Sequence, residues 1–175
     1  WPRWEWHVAN DGSDDPRTLD ALAEIGILDA RITVHHLPVN GGISAASNVA
    51  LGASTGDYVG LLDHDDALLP HALVRVVEHL NRDETRPDIV YTDEDKLEPD
   101  GSRADAYFKP DWSPDLFLSN MYACHFLVAR RALIAEVGGF RSAFDFSQAY
   151  DLVLRLMERA NPIHHAPHVV YHWPT

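Results

Sequence analysis

The chain has 175 residues, enough for one domain with its own core. Acidic residues outnumber basic ones 27 to 14, for a formal charge of −13. That balance excludes nucleic-acid binding, which needs a basic footprint, and simple electrostatic docking on anionic lipid.

Taken in chain order, residues 4–9 read as a strand that ends at the turn Asn10-Asp11-Gly12-Ser13. A helix follows over 16–25, then a strand over 31–36, a turn at Asn40-Gly41-Gly42 and a small-residue helix over 44–51. The run Tyr58-Val59-Gly60-Leu61-Leu62 reads as a buried parallel strand over 57–62. Next comes a helix over 69–81, with Leu73, Val76, Val77 and Leu80 at helical spacing. Residues 88–92 read as a strand. After Asp95 the pattern loosens through Glu98-Pro99-Asp100-Gly101 and Lys109-Pro110-Asp111-Trp112-Ser113-Pro114. A short helix, a strand over 124–129, a helix over 130–137 ended by Gly138-Gly139, a helix over 149–159 and a last strand over 169–171 complete the chain. Cys124 is the single cysteine, which excludes an internal disulfide and suits a small core residue. No apolar stretch reaches the ~18 residues of a membrane span, and no signal peptide is visible.

Strands alternating with helices predict an α/β fold with a mainly parallel sheet. Ligands of such sheets bind beyond the carboxyl ends of the strands. Asp11, Asn40, Asp63 and Asp93 each follow a predicted strand, so they are expected along one rim. The sharpest feature is Leu62-Asp63-His64-Asp65-Asp66. Side chains two apart on a strand share a face, so Asp63 and Asp65 are expected to point together and His64 away. Paired carboxylates at a strand end form a hard-oxygen site for Mg²⁺ or Mn²⁺, which in turn grips phosphate. The plainer reading is that Asp65 and Asp66 cap the following helix, but capping needs one acid and not three. The pairs His35-His36 and His164-His165 lack metal-ligand spacing. Tyr107, Phe108, Trp112, Phe117 and Tyr122 either stack on a ligand or pack the irregular half of the domain.

These motifs, in this order, resemble glycosyltransferase family 2 with the GT-A fold, near bacterial members assigned to O-antigen or rhamnosyl transfer. The resemblance rests on Asn10-Asp11-Gly12-Ser13, Asn40-Gly41-Gly42-Ile43 with Asn48, Gly56-Asp57-Tyr58 leading into Asp63-His64-Asp65, and Tyr91-Thr92-Asp93-Glu94-Asp95-Lys96. It continues through Tyr107-Phe108-Lys109-Pro110-Asp111-Trp112, Gly138-Gly139-Phe140, Asp151-Leu152-Val153-Leu154-Arg155 and Tyr171-His172-Trp173. It implies inverting transfer from a nucleotide-diphosphate sugar to a glycan or lipid-linked acceptor, with a divalent metal, in the cytoplasm or at the inner face of the membrane. Asp11 matches the acid that holds the base, Asp63 the acid at the ribose, and Asp65 the metal ligand. Asn40, Asp93 and Glu94 fall with the donor-binding set, and His172 matches a position that reaches back to the metal or diphosphate.

Two departures stand out. The family's general base is an Asp at the position of Ala149, and a methyl group has no acid–base chemistry. Asp151 lies about 200° further round the helix, so it does not simply replace that carboxylate. The family also begins with a strand and helix ahead of residue 4, so residues 1–175 are expected to be one domain truncated at its N-terminus. Three rival readings follow. The first is a non-catalytic domain that still binds nucleotide sugar and metal. The second is a haloacid-dehalogenase-type phosphotransferase, which would place its Asp-x-Asp on the first strand. The third is a nucleotidyltransferase, which would need a Gly-rich opening loop.

Overall fold

The computed structural model describes residues 2–82 and 84–175. Its first unit is a strand–helix–strand–helix run: β1 (Trp6–Asn10), α1 (Pro16–Leu28), β2 (Ile32–His36) and α2 (Ile43–Ala53). Asp15 opens α1 by accepting the Thr18 N–H at 3.1 Å, and Pro16 sits at a first-turn position where no N–H is needed. β1 and β2 pair in parallel, Trp6 against Ile32 through Asn10 against His36. They form a sheet of their own.

The larger sheet contains β3 (Tyr58–Gly60), β4 (Ala67–Leu68), β5 (Ile89–Leu97), β6 (Arg103–Tyr107), β7 (Leu127–Arg130) and β8 (Ile163–Pro174). Their order is β3-β7-β5-β8-β4, with β6 against β5. α3 (Ala72–Leu80), α4 (Pro114–Phe117), α5 (Arg131–Glu136) and α6 (Gln148–Met157) lie between these strands in sequence. Strand alternation builds two cores. Ile89 and Tyr91 of β5 join Leu127, Ala129, Phe117, Tyr122 and Leu152 on one face, while Val90 joins Val128, Phe126, Val76 and Tyr171 on the other. Cys124 packs partly buried beside this framework.

The expected α/β layering is present, and the pairing is more mixed than strand–helix alternation predicts. β5 and β8 run parallel, but β3–β7, β5–β7, β4–β8 and β5–β6 are antiparallel. The strand expected over 57–62 is three residues long and pairs antiparallel with β7. Residues 61–66 leave it as an irregular turn, so the same-face rule does not govern Asp63 and Asp65. β5 continues well past Thr92 to Leu97, so Asp93 is a mid-strand residue and not a strand-end residue. β8 is 12 residues long where a short strand over 169–171 is expected. Both extensions were hidden by polar sequence. The acids of β5 are buried because each finds a partner, as described below.

Candidate active site

The site grows from the exit of β3. Gly60 leaves room for Phe126, since a Cβ there would lie 2.7 Å from the ring's Cε2. The chain then turns, and the Asp66 N–H donates to the Asp63 carbonyl at 3.3 Å. Tyr171, fully buried on β8, holds this turn from below. Its hydroxyl accepts the Asp63 N–H at 3.3 Å and donates to the Asp66 carboxylate. The His125 ring stacks on Tyr171 with centroids 4.8 Å apart and planes 9° from parallel. His125 Nε2 stands 4.0 Å from Asp63 Oδ2. One ligand atom each from Asp63, Asp66 and His125 lie within 4.8 Å of one another. Partial burial raises the Asp66 carboxyl pKa above its ordinary value, against the pull of the Tyr171 hydroxyl. Asp65 points elsewhere: its side chain is 57% exposed and 3.7 Å from His64 Nδ1.

Behind this rim lies a buried charged network. Lys109 Nζ donates to Glu94 Oε2 at 2.7 Å, to the Ala123 carbonyl at 3.2 Å and to the His125 carbonyl. The same Glu94 oxygen accepts the His125 N–H at 3.1 Å. Burial pulls the Lys109 pKa down while the Glu94 charge opposes it. Asp93 Oδ1 accepts the Lys109 N–H at 2.9 Å and lies 2.7 Å from His165 Nε2. Asp93 and Glu94 therefore position the His125 segment from inside and do not open onto the rim. Cys124 is pushed up to about 12 by burial and then by the Glu94 charge, which removes it as a nucleophile at neutral pH.

The other expected residues fall into three places. Asp11 accepts the N–H groups of Gly41 and Gly42 at 2.7 and 2.9 Å, and Asn40 Oδ1 accepts the same Gly42 N–H at 3.2 Å. They thus shape the loop at the start of α2, where Gly42 has a φ of 88°. His172 is buried, its Nδ1 is taken by Asp95, and its Nε2 has no hydrogen-bond partner among the described residues. Ala149 lies in the first turn of α6. Asp151, one of the two sequence candidates on that helix, is buried and gripped by two guanidinium groups. Arg141 Nε donates to it at 3.0 Å and Arg155 Nε at 3.1 Å. Arg141 first, then Arg155, holds its carboxyl below the usual range, so it is an ion-pair anchor with no proton-accepting role in view. Phe117 and Tyr122 are core residues, whereas Phe108 is 72% exposed.

A family model described as Glycosyl transferase family 2 matches residues 1–138. The chain belongs to glycosyltransferase family 2. This family 2 domain is 44% identical over 177 residues to an uncharacterized protein, y4gI, of Sinorhizobium fredii, with 99% of the chain and 19% of the relative covered. It is 42% identical to the O-antigen biosynthesis protein RfbC of Myxococcus xanthus, with 97% of the chain and 13% of the relative covered. It thus spans less than a fifth of either relative. In fold it is similar to TarS 1–349 of S. aureus in complex with UDP-GlcNAc. The TM-score is 0.76 at 19% identity, over 98% of this chain and 49% of that one.

Within that family setting, the sequence located the carboxylate tip but not its partner. Asp66 belongs to the same acidic run as Asp63 and Asp65. His125 lies far along the chain, carries no motif and is brought to the tip by the pairing of β3 with β7, the Glu94–Lys109 contacts to its backbone and the stack on Tyr171.

Proposed function

We infer that this domain moves a sugar, with inversion, from a nucleotide-diphosphate sugar to a hydroxyl of a glycan or lipid-linked acceptor. The convergence of Asp63, Asp66 and His125 on one partly open point carries this reading. The donor set fits a divalent cation with room left for phosphate oxygens. A nitrogen ligand beside two carboxylates favours Mn²⁺ over Mg²⁺, which prefers oxygen alone. Asp65, at the tip, and His172, through its unpartnered Nε2, are the further candidates to complete the shell. When bound, the cation supplies charge that offsets the diphosphate as it departs.

The chain's own residues do the rest of the work in this reading. Asp11 and Asn40 hold the loop that faces the base. Asp63 addresses the donor ribose or its phosphates. Asp93 and Glu94 act from the interior, through Lys109 and the His125 segment. An acceptor hydroxyl needs a proton acceptor as it attacks the anomeric carbon, and the first turn of α6 offers Ala149 there. As it stands the chain binds donor and transfers weakly, which is where a non-catalytic nucleotide-sugar-binding domain becomes the second reading. Transfer from cytoplasmic nucleotide sugars, at the inner face of the membrane, fits the proposed substrates. Among the described residues no helix is long and apolar enough to cross a membrane.

Calorimetric titration of UDP, TDP and GDP, with and without Mn²⁺, tests the donor site. Heat is expected only when nucleotide and metal are both present, and Asp63→Asn is expected to weaken it by about tenfold or more. Metal-independent binding, or none, overturns the reading. Ala149→Asp is expected to raise transfer; an unchanged rate in a variant that still binds donor favours the binding domain.

A further inference from the structure

A second cavity, of about 240 Å³, lies off the aspartate rim, and its lining is rich in histidine, with one arginine and one aspartate. His79 and Arg82 reach it from the end of α3, His164 and His165 from the start of β8, and Asp111 and Trp112 from the loop before α4. The His79 and His164 rings meet edge to face at 5.6 Å. His165 stacks on Tyr91 at 5.1 Å and is 93% buried in its side chain. Its Nε2 is fixed by Asp93 at 2.7 Å, which leaves Nδ1 toward Asp111 Oδ1 at the longer distance of 3.5 Å.

Several arginines elsewhere in the chain are already neutralised by carboxylates, while Arg82, like Arg86, Arg131 and Arg159, has no carboxylate partner among the described residues. Glu78, the nearby acid of α3, is taken by Arg75 at 3.0 Å. Asp111, the acid in the lining, stands at the mouth with its side chain 99% exposed. The outer edge of β8 from Ile163 to Ala166 also has no partner strand among the described residues, since β4 pairs only with Tyr171 and His172. An arginine fork, imidazole N–H groups approaching from two elements and an open strand edge converge from several directions. An arginine fork pairs with either a carboxylate or a phosphoryl group, and donors spread over several elements suit the three free oxygens of a phosphoryl group better than the two of a carboxylate.

We propose that this cavity binds a phosphoryl group, with the group that carries it lying against Trp112. The site does not depend on the metal or on the donor pocket. It touches them through His165, whose other nitrogen holds Asp93 of the buried network. Arg82, His79 and His164 supply the donors; His165, whose Nε2–H is committed to Asp93, donates from Nδ1 as an imidazolium, with Asp111 giving way there when the anion enters.

Histidine Cε1–H resonances of the intact chain, titrated with inorganic phosphate near the ordinary histidine pKa of about 6.5, report on it directly. Saturable shifts at His79, His164 and His165 are expected. Arg82→Ala is expected to raise the Kd about tenfold, the loss of one charge-assisted contact. Asp111→Asn, which removes the carboxylate at the mouth, is expected to lower it severalfold. Both side chains are surface-exposed, so both variants keep the fold. Absence of saturable shifts, or the same Kd in wild type and both variants, overturns the proposal. Equal response to acetate overturns the choice of phosphate over carboxylate.

Discussion

Two side chains on the α6 side of the domain show how local chemistry sets local stability. Phe146 is 98% exposed and holds a φ of 70°, a conformation that costs an L residue with a Cβ roughly 1–2 kcal/mol. Phe146→Gly relieves that strain and loses part of the gain to unfolded-chain entropy, so urea melts are expected to show about 0.5–1 kcal/mol of net stabilisation. Asp151 makes the opposite case. Its folded-state pKa is depressed by Arg141 and Arg155, so its contribution is present above the unfolded carboxyl value near 4 and fades as pH falls through the lower folded one. Asp151→Asn is expected to lower the urea midpoint at neutral pH and to flatten the loss of stability as pH falls below about 4. A variant whose midpoint tracks the wild type at every pH would refute the ion-pair role.

At the scale of elements, the long central strand joins the core to the rim. β5 carries Asp93, Glu94 and Asp95 inside the protein, each matched by a base: His165, Lys109 and His172. Removing one member of the buried Lys109–Glu94 pair leaves the other charge uncompensated. Lys109→Met is therefore expected to cost about 3–5 kcal/mol in denaturant titrations, with the double change Lys109→Met, Glu94→Gln recovering much of it. The same network explains what could be read in advance. α3 and α6 were legible because their apolar residues repeat at helical spacing. The tip at Asp63 was legible because an apolar run ends there in acids. The extension of β5 was not, since Thr92-Asp93-Glu94-Asp95-Lys96 has the polarity of a loop until its partners, distant in sequence, are in place. His125 was hidden for the same reason. The role of Asp151 also needed the fold, because Arg141 reaches it from outside the helix.

At the scale of the whole molecule, the strands are divided between two sheets that share no ladder. Asp11 and Asn40 follow β1 and β2 on the small sheet, while Asp63, Asp66 and His125 sit on the large one. The carboxylate of Glu5, just ahead of β1, spans the division by accepting the Gly56 N–H at 2.9 Å and the Thr55 hydroxyl at 2.9 Å just before β3. α1 adds little to the small sheet's burial, with none of its residues fully enclosed. Asn48 of α2 adds a second tie, donating to and accepting from the Phe140 backbone at 2.9 Å. A ligand whose base meets the Asp11 side and whose phosphates meet the Asp63 side would act as a further rivet between the two sheets. Amides of β1 and β2 are expected to exchange with deuterium well before those of β5 and β7, and to slow when UDP and Mn²⁺ are added together. Donor occupancy would then be legible as stiffness in a region that the metal never touches.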